Sequence, residues 1–419
     1  MKLIILIILF LITNFSFSQS YKYANFVKEK LTSKDFKGRG YSENGDRITA
    51  KFISDELSNQ GLKYYDTSYY QFFDISVNNI ENAKLIIGKE KRELRLGEEF
   101  LVFGYSPNTN LIIQNKKFIR IDKKEVLDNI NILNLENKII IIDRKVIKDY
   151  EASLFIRKLN SNSIKPQLVI LENYDKIPYY SGRSVFSFPV IQIKDKVFKN
   201  KIDYINLNIE SEYLSKYKTQ NIIAFSEGKK YKDSLFVFLA HYDHLGKIGD
   251  SVYFPGGNDN ASGVALLLDL AKYYSKNPTD YSIAFVFTSA EEIGILGADY
   301  AANNFPVELS KIKFLFNFDM VGTGSGGIAL VNGKNEKRAS DLIQAINSEK
   351  MYFNQIRVGE ASCNSDHCPF VEKNVPGIFL FTFGCEYNEY HTIYDNGINL
   401  SFTKYIDLTN LIKEFIEKY

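Results

Sequence analysis

The sequence predicts an α/β fold in which a mixed, mostly parallel sheet is covered by helices on both faces and a β-rich domain is inserted. Two observations carry this prediction. From Asn221 onward, apolar strand-like runs alternate with helical segments, and the runs are apolar along their whole length. Such strands are typical of a sheet that is covered on both sides. Between residues 73 and 214, short β-rich runs separated by turn residues replace this alternation, which favours a separate module.

Residues 1–19 predict a signal peptide. Met1 and Lys2 precede an apolar run from Leu3 to Ile12, and small polar residues follow it. The run has the length of a signal-peptide core and is short for a membrane span. We therefore expect export to the periplasm or the extracellular space, without a stable membrane anchor.

Residues 20–72 predict the N-terminal segment of the main domain. The glycine-rich turn Gly38–Gly45 leads into a stretch whose apolar residues recur at helical spacing from Ile48 to Leu57. This helix is expected to pack on the sheet. Arg39 lies in the turn, and the sequence indicates no role for it.

Residues 215–419 carry the alternation of strands and helices. We expect the strands around Asn221 and His241 to form a hairpin, because a Lys-rich turn joins them. The further expected elements are helix Ala261–Tyr274, strand Ser282–Thr288, helix Ile293–Asn303, strand Ile312–Phe318, helix Ser340–Lys350, strand Gly377–Phe383 and a helix from Thr403 to Tyr419.

An imidazole or a carboxylate follows each of four predicted strands. In open α/β sheets, ligands bind at the carboxyl ends of the strands. Asp259 lies in a glycine-rich loop that leads into a helix, so it can join the same site. The residues that follow the four strands are His241, the pair Glu291 and Glu292, Asp319, and Tyr390 with His391.

These residue types favour zinc over calcium or magnesium, because imidazoles occur with carboxylates and no thiolate pair is near. Three carboxylates and one hydroxide balance the charge of two zinc ions, which suits a partly buried site. Asp259 is the expected bridge between the ions, and Asp243 is expected to orient the ring of His241. The predicted ligands are His241, Asp259, Glu292, Asp319 and His391.

Glu291 and Glu292 are adjacent, so in an extended backbone they point in different directions. One can bind metal while the other acts as a general base. The alternative for this pair alone is a solvated position at a helix N-terminus, where the helix dipole favours negative charge.

Six motifs between Asn221 and Leu400 resemble, in order, those of the M28 zinc peptidases of the aminopeptidase type. They are HYD, NDNASG, SAEEIGILG, FNFDMVG, SDHCPF and YHTIYDN. KGRG and the helix after it resemble the N-terminal segment of that family. The middle region, which ends in FPVIQI, is similar to the protease-associated (PA) domain inserted in such enzymes.

The resemblance implies a role for each residue of the site. One ion would be held by His241 and Asp319 and the other by Glu292 and His391, with Asp259 as the bridge and Glu291 as the base. Tyr390 would help to stabilise the oxyanion, while Asp366 and His367 would lie near the substrate. His244 is an additional imidazole, interpreted as a loop residue or one at the rim of the cleft.

The resulting hypothesis is a secreted zinc exopeptidase, with aminopeptidase action favoured, in which a hydroxide between two zinc ions attacks the first peptide bond. Two alternatives stay open: a single-zinc acyltransferase of the glutaminyl cyclase type, and a non-catalytic binding relative. Peptides or proteins are the expected partners, and the sequence indicates no oligomeric state. A net charge of +2 argues against a nucleic-acid partner.

The three cysteines leave several pairings open. Cys363 and Cys368 are close enough in sequence to pair, which would leave Cys385 free. We expect no catalytic thiol, and no GxSxG nucleophile motif is present.

Overall fold

The computed structural model describes residues 19–199 and 201–419, so the predicted signal peptide lies outside the described residues except for its last position. Over those ranges, no helix is both long enough and apolar enough to cross a membrane.

The strands occur throughout the described chain. In chain order they are β1 (Tyr70–Ile87), β2 (Arg92–Leu94), β3 (Phe100–Val102), β4 (Thr109–Lys116), β5 (Ile119–Ile121), β6 (Ile139–Asp143), β7 (Leu168–Glu172), β8 (Val190–Ile193), β9 (Ile202–Ser226), β10 (Tyr231–His241), β11 (Lys247–Ile248), β12 (Val252–Tyr253), β13 (Tyr281–Thr288), β14 (Ile312–Phe318), β15 (Gly327–Val331), β16 (Ile356–Val358) and β17 (Gly377–Phe383).

The helices lie between these strands and at both ends of the described chain. They are α1 (19–31), α2 (Gly45–Asn59), α3 (Lys124–Asn129), α4 (Asp149–Ser161), α5 (Ser262–Lys276), α6 (Leu296–Asn303), α7 (Lys337–Lys350), α8 (Cys368–Val371) and α9 (Tyr405–Lys418).

The main sheet has the strand order β16-β15-β17-β14-β10-β13-β9-β1-β2, and β4 pairs with β9. Its central strands β17, β14, β10 and β13 are parallel neighbours. The outer pairs include antiparallel ones, such as β13 with β9 and β15 with β17. The predicted mixed α/β sheet is thus confirmed, and the carboxyl ends of four central strands meet at one edge.

Helices cover both faces of the central strands. Along β10, successive side chains point to opposite faces. Phe236 and Phe238 belong to a core that includes residues of α1, α2, α5, α7 and α9, whereas Val237 and Leu239 belong to a core that includes residues of α6 and α8. This explains why the strand is apolar along its whole length.

The predicted hairpin of β9 and β10 is wrong. β13 lies between these strands, antiparallel to β9 and parallel to β10. The connection 227–230 passes the start of β13, where the Gly228 N–H donates to Ser282 Oγ at 3.0 Å. Four extended residues can span the roughly 10 Å across one intervening strand, so a short turn between antiparallel strands does not ensure that they pair.

Helix α6 begins at Leu296, later than the predicted Ile293. Gly294 and Ile295 have φ values of 115° and 62°, which no right-handed helix accommodates. The other predicted elements of residues 215–419 begin and end within a few residues of their observed bounds.

The inserted region combines two kinds of structure. β1 and β9 pair over most of their length and extend from the main sheet into this region, so the predicted boundaries at 73 and 214 fall inside them. A second sheet has the order β3-β8-β7-β6-β5, with parallel pairs from β5 to β8 and α4 between β6 and β7. The inserted region therefore has more α/β character than its short β-rich runs predict.

Candidate metal centre at the carboxyl edge of the sheet

The predicted metal ligands lie at the ends of the parallel strands. His241 is the last residue of β10, Asp319 directly follows β14, and Glu292 follows β13 after a short turn. Left-handed backbone turns the chain at Ala290 (φ 61°) and at His391 (φ 57°). Non-glycine residues adopt such angles at a cost, and they persist where the surrounding structure fixes them. The sharp turns redirect the chain so that side chains from different strands meet.

Two groups of side chains share Asp259. His241 Nε2 lies 3.3 Å from Asp259 Oδ1 and 3.4 Å from Asp319 Oδ1. His391 Nε2 lies 3.1 Å from Asp259 Oδ2 and 3.1 Å from Glu292 Oε2. Each oxygen of Asp259 therefore faces a different group. The structure brings all five predicted ligands together.

The spacing of these donor atoms fits zinc. Ligand atoms at about 2.0–2.1 Å from a tetrahedral ion lie roughly 3.3 Å from one another. The four distances to the histidine nitrogens are 3.1, 3.1, 3.3 and 3.4 Å. Imidazole nitrogens and carboxylate oxygens are also the ligand types that zinc accepts.

The histidines and carboxylates of the cluster shift each other's pKa values. Burial alone would lower the pKa of His391, but the carboxylates of Glu292 and Asp259 raise it to about 10. Burial alone would raise the pKa of Asp259, but His241 and His391 hold it well below its ordinary value. The buried carboxylate of Asp259 is thus stabilised by nearby positive charge, a role that metal ions can take over.

A cavity of about 360 Å³ opens beside the cluster. Glu291 lines it next to Asp259 and Asp319, so Glu291 faces the space that a substrate would enter. The aromatic residues Phe379, Phe381, Phe383, Tyr387 and Tyr390 also line it.

Asp243 is buried beside His241. The backbone carbonyl of Asp243 lies closer to the His241 ring than the Asp243 carboxylate does. His241 Nδ1 lies 3.2 Å from the Asp243 carbonyl oxygen and 3.8 Å from its Oδ1. The carboxylate instead accepts from the Tyr41 hydroxyl at 2.9 Å and from the Glu291 N–H at 3.2 Å. Burial raises the pKa of Asp243 to about 6. Asp243 therefore links His241 to the backbone of Glu291.

Tyr390, Asp366 and His367 occupy different positions. The ring of Tyr390 is stacked on His391, with centroids 3.8 Å apart, and lines the cavity. Asp366 is buried and accepts from the Thr288 hydroxyl. His367 is also buried, packed near Phe379. Neither Asp366 nor His367 is among the described residues that line the cavity.

Residues 363–368 form a turn beside Asp319. Cys363 and Cys368 form a disulfide, and Cys385 is free and exposed. Within the turn, Ser365 Oγ donates to Asp319 Oδ2 at 2.8 Å. The bridge therefore closes the segment that orients Asp319, and it selects one of the pairings that the sequence leaves open.

Sequence reasoning gave too little weight to His244. Its side chain is buried, and Nδ1 lies 2.6 Å from Glu292 Oε1. His244, Asp259 and Glu292 form a group whose donor atoms lie within 4.8 Å of one another. His244 lies in a loop, as interpreted from the sequence, but its side chain is buried against Glu292, because the turn after β10 folds back toward the site. The sequence feature that could have indicated this role is the second histidine three residues after His241, in HYDH.

We expect His244→Ala to weaken zinc binding about 10- to 100-fold, the typical effect of removing a residue that orients a metal ligand. The matched variant His244→Asn keeps a donor near the position of Nδ1 and should lose less. Competition with a chromophoric chelator measures the change. Zinc affinity of the alanine variant equal to that of the wild type would contradict this role.

Arg39 and Asp395 hold the loop that carries Asp259, and neither was selected from the sequence. Arg39 Nη2 donates to the carbonyl oxygens of Asp259 at 3.1 Å and Gly256 at 2.8 Å. The Asp395 carboxylate accepts from the backbone N–H groups of Asn258 at 2.8 Å and Asp259 at 3.1 Å. Both lie in motifs that carry the family resemblance, KGRG and YHTIYDN, which was the available signal. The Asp259–Asn260 peptide bond is cis.

The fold and the cluster together are typical of α/β proteins that hold metal ions at the carboxyl edge of a sheet. Residues 221–416 match the model of Peptidase family M28. This match covers 196 of the 419 residues and confirms the predicted resemblance to that family.

Several relatives and solved structures are similar to the chain. It is 27% identical over 250 residues to aminopeptidase YwaD of Bacillus subtilis (strain 168). That alignment covers 57% of this chain and 52% of the Bacillus protein. It is 25% identical over 379 residues to a probable leucine aminopeptidase 2 of Arthroderma benhamiae, which covers 83% and 69%. A peptidase M28 precursor from Shewanella amazonensis SB2B shares the fold, with a TM-score of 0.71, 19% identity and 96% coverage of each chain. The first match spans about half the length of the Bacillus relative.

Proposed function

We propose that the protein is a zinc-dependent aminopeptidase that removes N-terminal residues from peptides. The observation that carries this proposal is the pair of histidine–carboxylate groups that share Asp259. Glu291 lines the adjacent cavity, as a proton-transferring group would have to. The two curated relatives described above are named as aminopeptidases, which supports the same activity.

Two zinc ions are proposed, one for each group. His241 and Asp319 would hold the first, and Glu292 and His391 the second. Asp259 would contact both, since its two oxygens face different groups. When bound, zinc would polarise the carbonyl of the scissile bond and lower the pKa of a water molecule.

Glu291 is proposed as the general base. Burial and the neighbouring Asp366 and Glu292 carboxyls raise its pKa well above the ordinary value, against the opposing effect of His241. A carboxyl group of raised pKa can take a proton from water and later return it to the leaving amine. Tyr390 is proposed to donate its hydroxyl hydrogen to the developing oxyanion, because it lines the same cavity.

The wall of the cavity favours a free amino terminus over a free carboxyl terminus. Among the described residues that line it, none is lysine or arginine, whereas three are acidic. A substrate carboxylate would find no cationic side chain to pair with there, whereas an α-ammonium group would meet Glu291, the one acidic residue of the lining that is not a proposed zinc ligand. The three alternate residues Phe379, Phe381 and Phe383 of β17 favour an apolar side chain on the first residue of the peptide.

Removal of metal tests the proposal. We expect dialysis against 1,10-phenanthroline to abolish hydrolysis of leucine anilide, and two equivalents of zinc to restore it. N-acetylated leucine anilide is the matched control and should not be cleaved. Hydrolysis that persists in protein shown to be free of metal would reject the proposal. Cyclisation of peptides with N-terminal glutamine, without anilide hydrolysis, would favour the cyclase alternative.

Export is also proposed, from the pattern of residues 1–19. Amino-terminal sequencing of the protein recovered outside the cytoplasm should find a chain that begins near residue 20.

A further inference from the structure

A loop of the inserted region, residues 174–183, lies against the segment that carries His391. The Tyr179 N–H donates to the His391 carbonyl oxygen at 2.8 Å. The ring of Tyr180 meets the His391 imidazole edge-on, with centroids 5.1 Å apart and an angle of 64° between the planes. Lys176 Nζ lies 2.5 Å from Glu389 Oε1 and 3.3 Å from the Asn388 carbonyl oxygen. The inserted region therefore contacts this ligand segment through backbone, ring and charge.

The imidazole of His391 contacts two tyrosine rings. Tyr390 is stacked on it, 3.8 Å away, and Tyr180 packs against it from the inserted region. His391 has a φ of 57°, an angle that a non-glycine residue keeps only when its surroundings fix it. The contacts from residues 176–180 are part of those surroundings. The direction of His391 Nε2 thus depends on the inserted region.

The segment that leads to Asp259 packs on the same region. Tyr179 is stacked on Phe254, with centroids 4.7 Å apart and planes at 16°. Leu245, Ile248 and Phe254 lie between β10 and Asp259 in sequence, yet they belong to the core of the inserted region. The segment that carries His391 and the segment that leads to Asp259 therefore both pack against the loop of residues 174–183.

We infer that residues 174–183 are a structural part of the metal centre, with Tyr180 and Lys176 as positioning residues for His391. The inserted region thereby controls retention of the zinc ion proposed for His391 and Glu292. This inference rests on the proposed function for the identity of the metal. It concerns how firmly the ion is held, which is measurable without any substrate.

Zinc release from the full-length, zinc-loaded protein tests the inference. We expect Tyr180→Ala to release one of two zinc equivalents to a chromophoric chelator about 10-fold or more faster than the wild type, as other changes beside metal ligands do. Tyr180→Phe keeps the ring and should release zinc at the wild-type rate. Tyr150→Ala is the matched control, because Tyr150 lies on α4 of the same region and is 73% exposed. It should leave the rate unchanged.

Charge exchange at the second contact gives an independent variant. Lys176→Glu places like charges opposite Glu389 and should also speed release of one equivalent, whereas the double variant Lys176→Glu/Glu389→Lys should restore the wild-type rate. Lys158→Ala is the control, since Lys158 is exposed on α4 of the same region and lies outside residues 174–183.

The Tm of the zinc-free variants distinguishes an effect on the position of His391 from a general loss of fold stability. The inference requires faster release of one equivalent with an unchanged zinc-free Tm in Lys176→Glu. It is overturned if Tyr180→Ala and Lys176→Glu release zinc like the wild type. Loss of both equivalents together with a lowered zinc-free Tm would overturn it as well. A protein that binds two zinc ions as described yet cleaves no anilide would reject the proposed function while leaving this inference intact.

Discussion

Replacement of Glu291 by glutamine is expected to lower kcat for leucine anilide by at least about 100-fold, within the range that general acid–base catalysis contributes. Glutamine has nearly the same size as glutamate but cannot take a proton from water. Glu291 lines the cavity, while the proposed ligands to each ion are other residues. The variant should therefore keep two zinc ions and a KM close to that of the wild type.

The control for this variant is Glu90→Gln, because Glu90 is exposed in the turn between β1 and β2, outside the segments that carry the cluster. It should change neither kcat nor KM. Metal content is measured on the same samples, so that loss of zinc is distinguished from loss of the base. If the Glu291→Gln protein holds two zinc ions and retains the wild-type kcat, Glu291 is not the base and the assignment fails.

Replacement of Arg39 by methionine is expected to cause the largest loss of stability, about 3–5 kcal/mol in the free energy of unfolding, as when one member of a buried charged network is removed. The guanidinium is fully buried. Its nitrogens donate to five backbone carbonyl oxygens, which would lose a charged donor inside the protein. The acceptors are those of Leu31 at 3.2 Å, Tyr242 at 2.9 Å, Pro255 at 2.5 Å, Gly256 at 2.8 Å and Asp259 at 3.1 Å.

Urea unfolding of the zinc-free protein measures this loss without a contribution from the metal. Arg39→Lys keeps the charge, but a lysine cannot reach the same set of carbonyl groups, so it should recover only part of the stability. Arg47→Met is the control from the same segment, because Arg47 is exposed, and it should change stability by less than about 0.5 kcal/mol. An unfolding curve of Arg39→Met that matches the wild type would show that the five contacts contribute little.

Much of the fold and of the candidate site could be predicted from short stretches of sequence. An apolar run that stops at His241 or at Asp319 indicates both a buried strand and a polar group at its end. The carboxyl ends of parallel strands meet at one edge, so these residues could be expected together before any coordinates were known. Strand type, residue type and position after a strand are local properties, so they can be recognised from the sequence alone.

Interactions between distant segments could not be predicted in this way. Arg39 binds the carbonyl group of Asp259, which lies more than 200 residues away, and Tyr180 reaches His391 from the inserted region. The wrong hairpin has the same origin, because the insertion of β13 between β9 and β10 depends on strand order in the whole sheet. Periodicity shows which face of a strand is buried, and it does not show which strand lies beside it.

The sequence by itself determined the α/β fold, the resemblance to Peptidase family M28 and the set of residues from which a metal centre can be built. The tertiary structure alone decided that Asp259 presents one oxygen to each group, that His244 reaches Glu292, and that the inserted region supports His391. The physical reason is that a residue type is fixed by the chain, whereas the direction of its donor atoms depends on packing from segments far away in sequence.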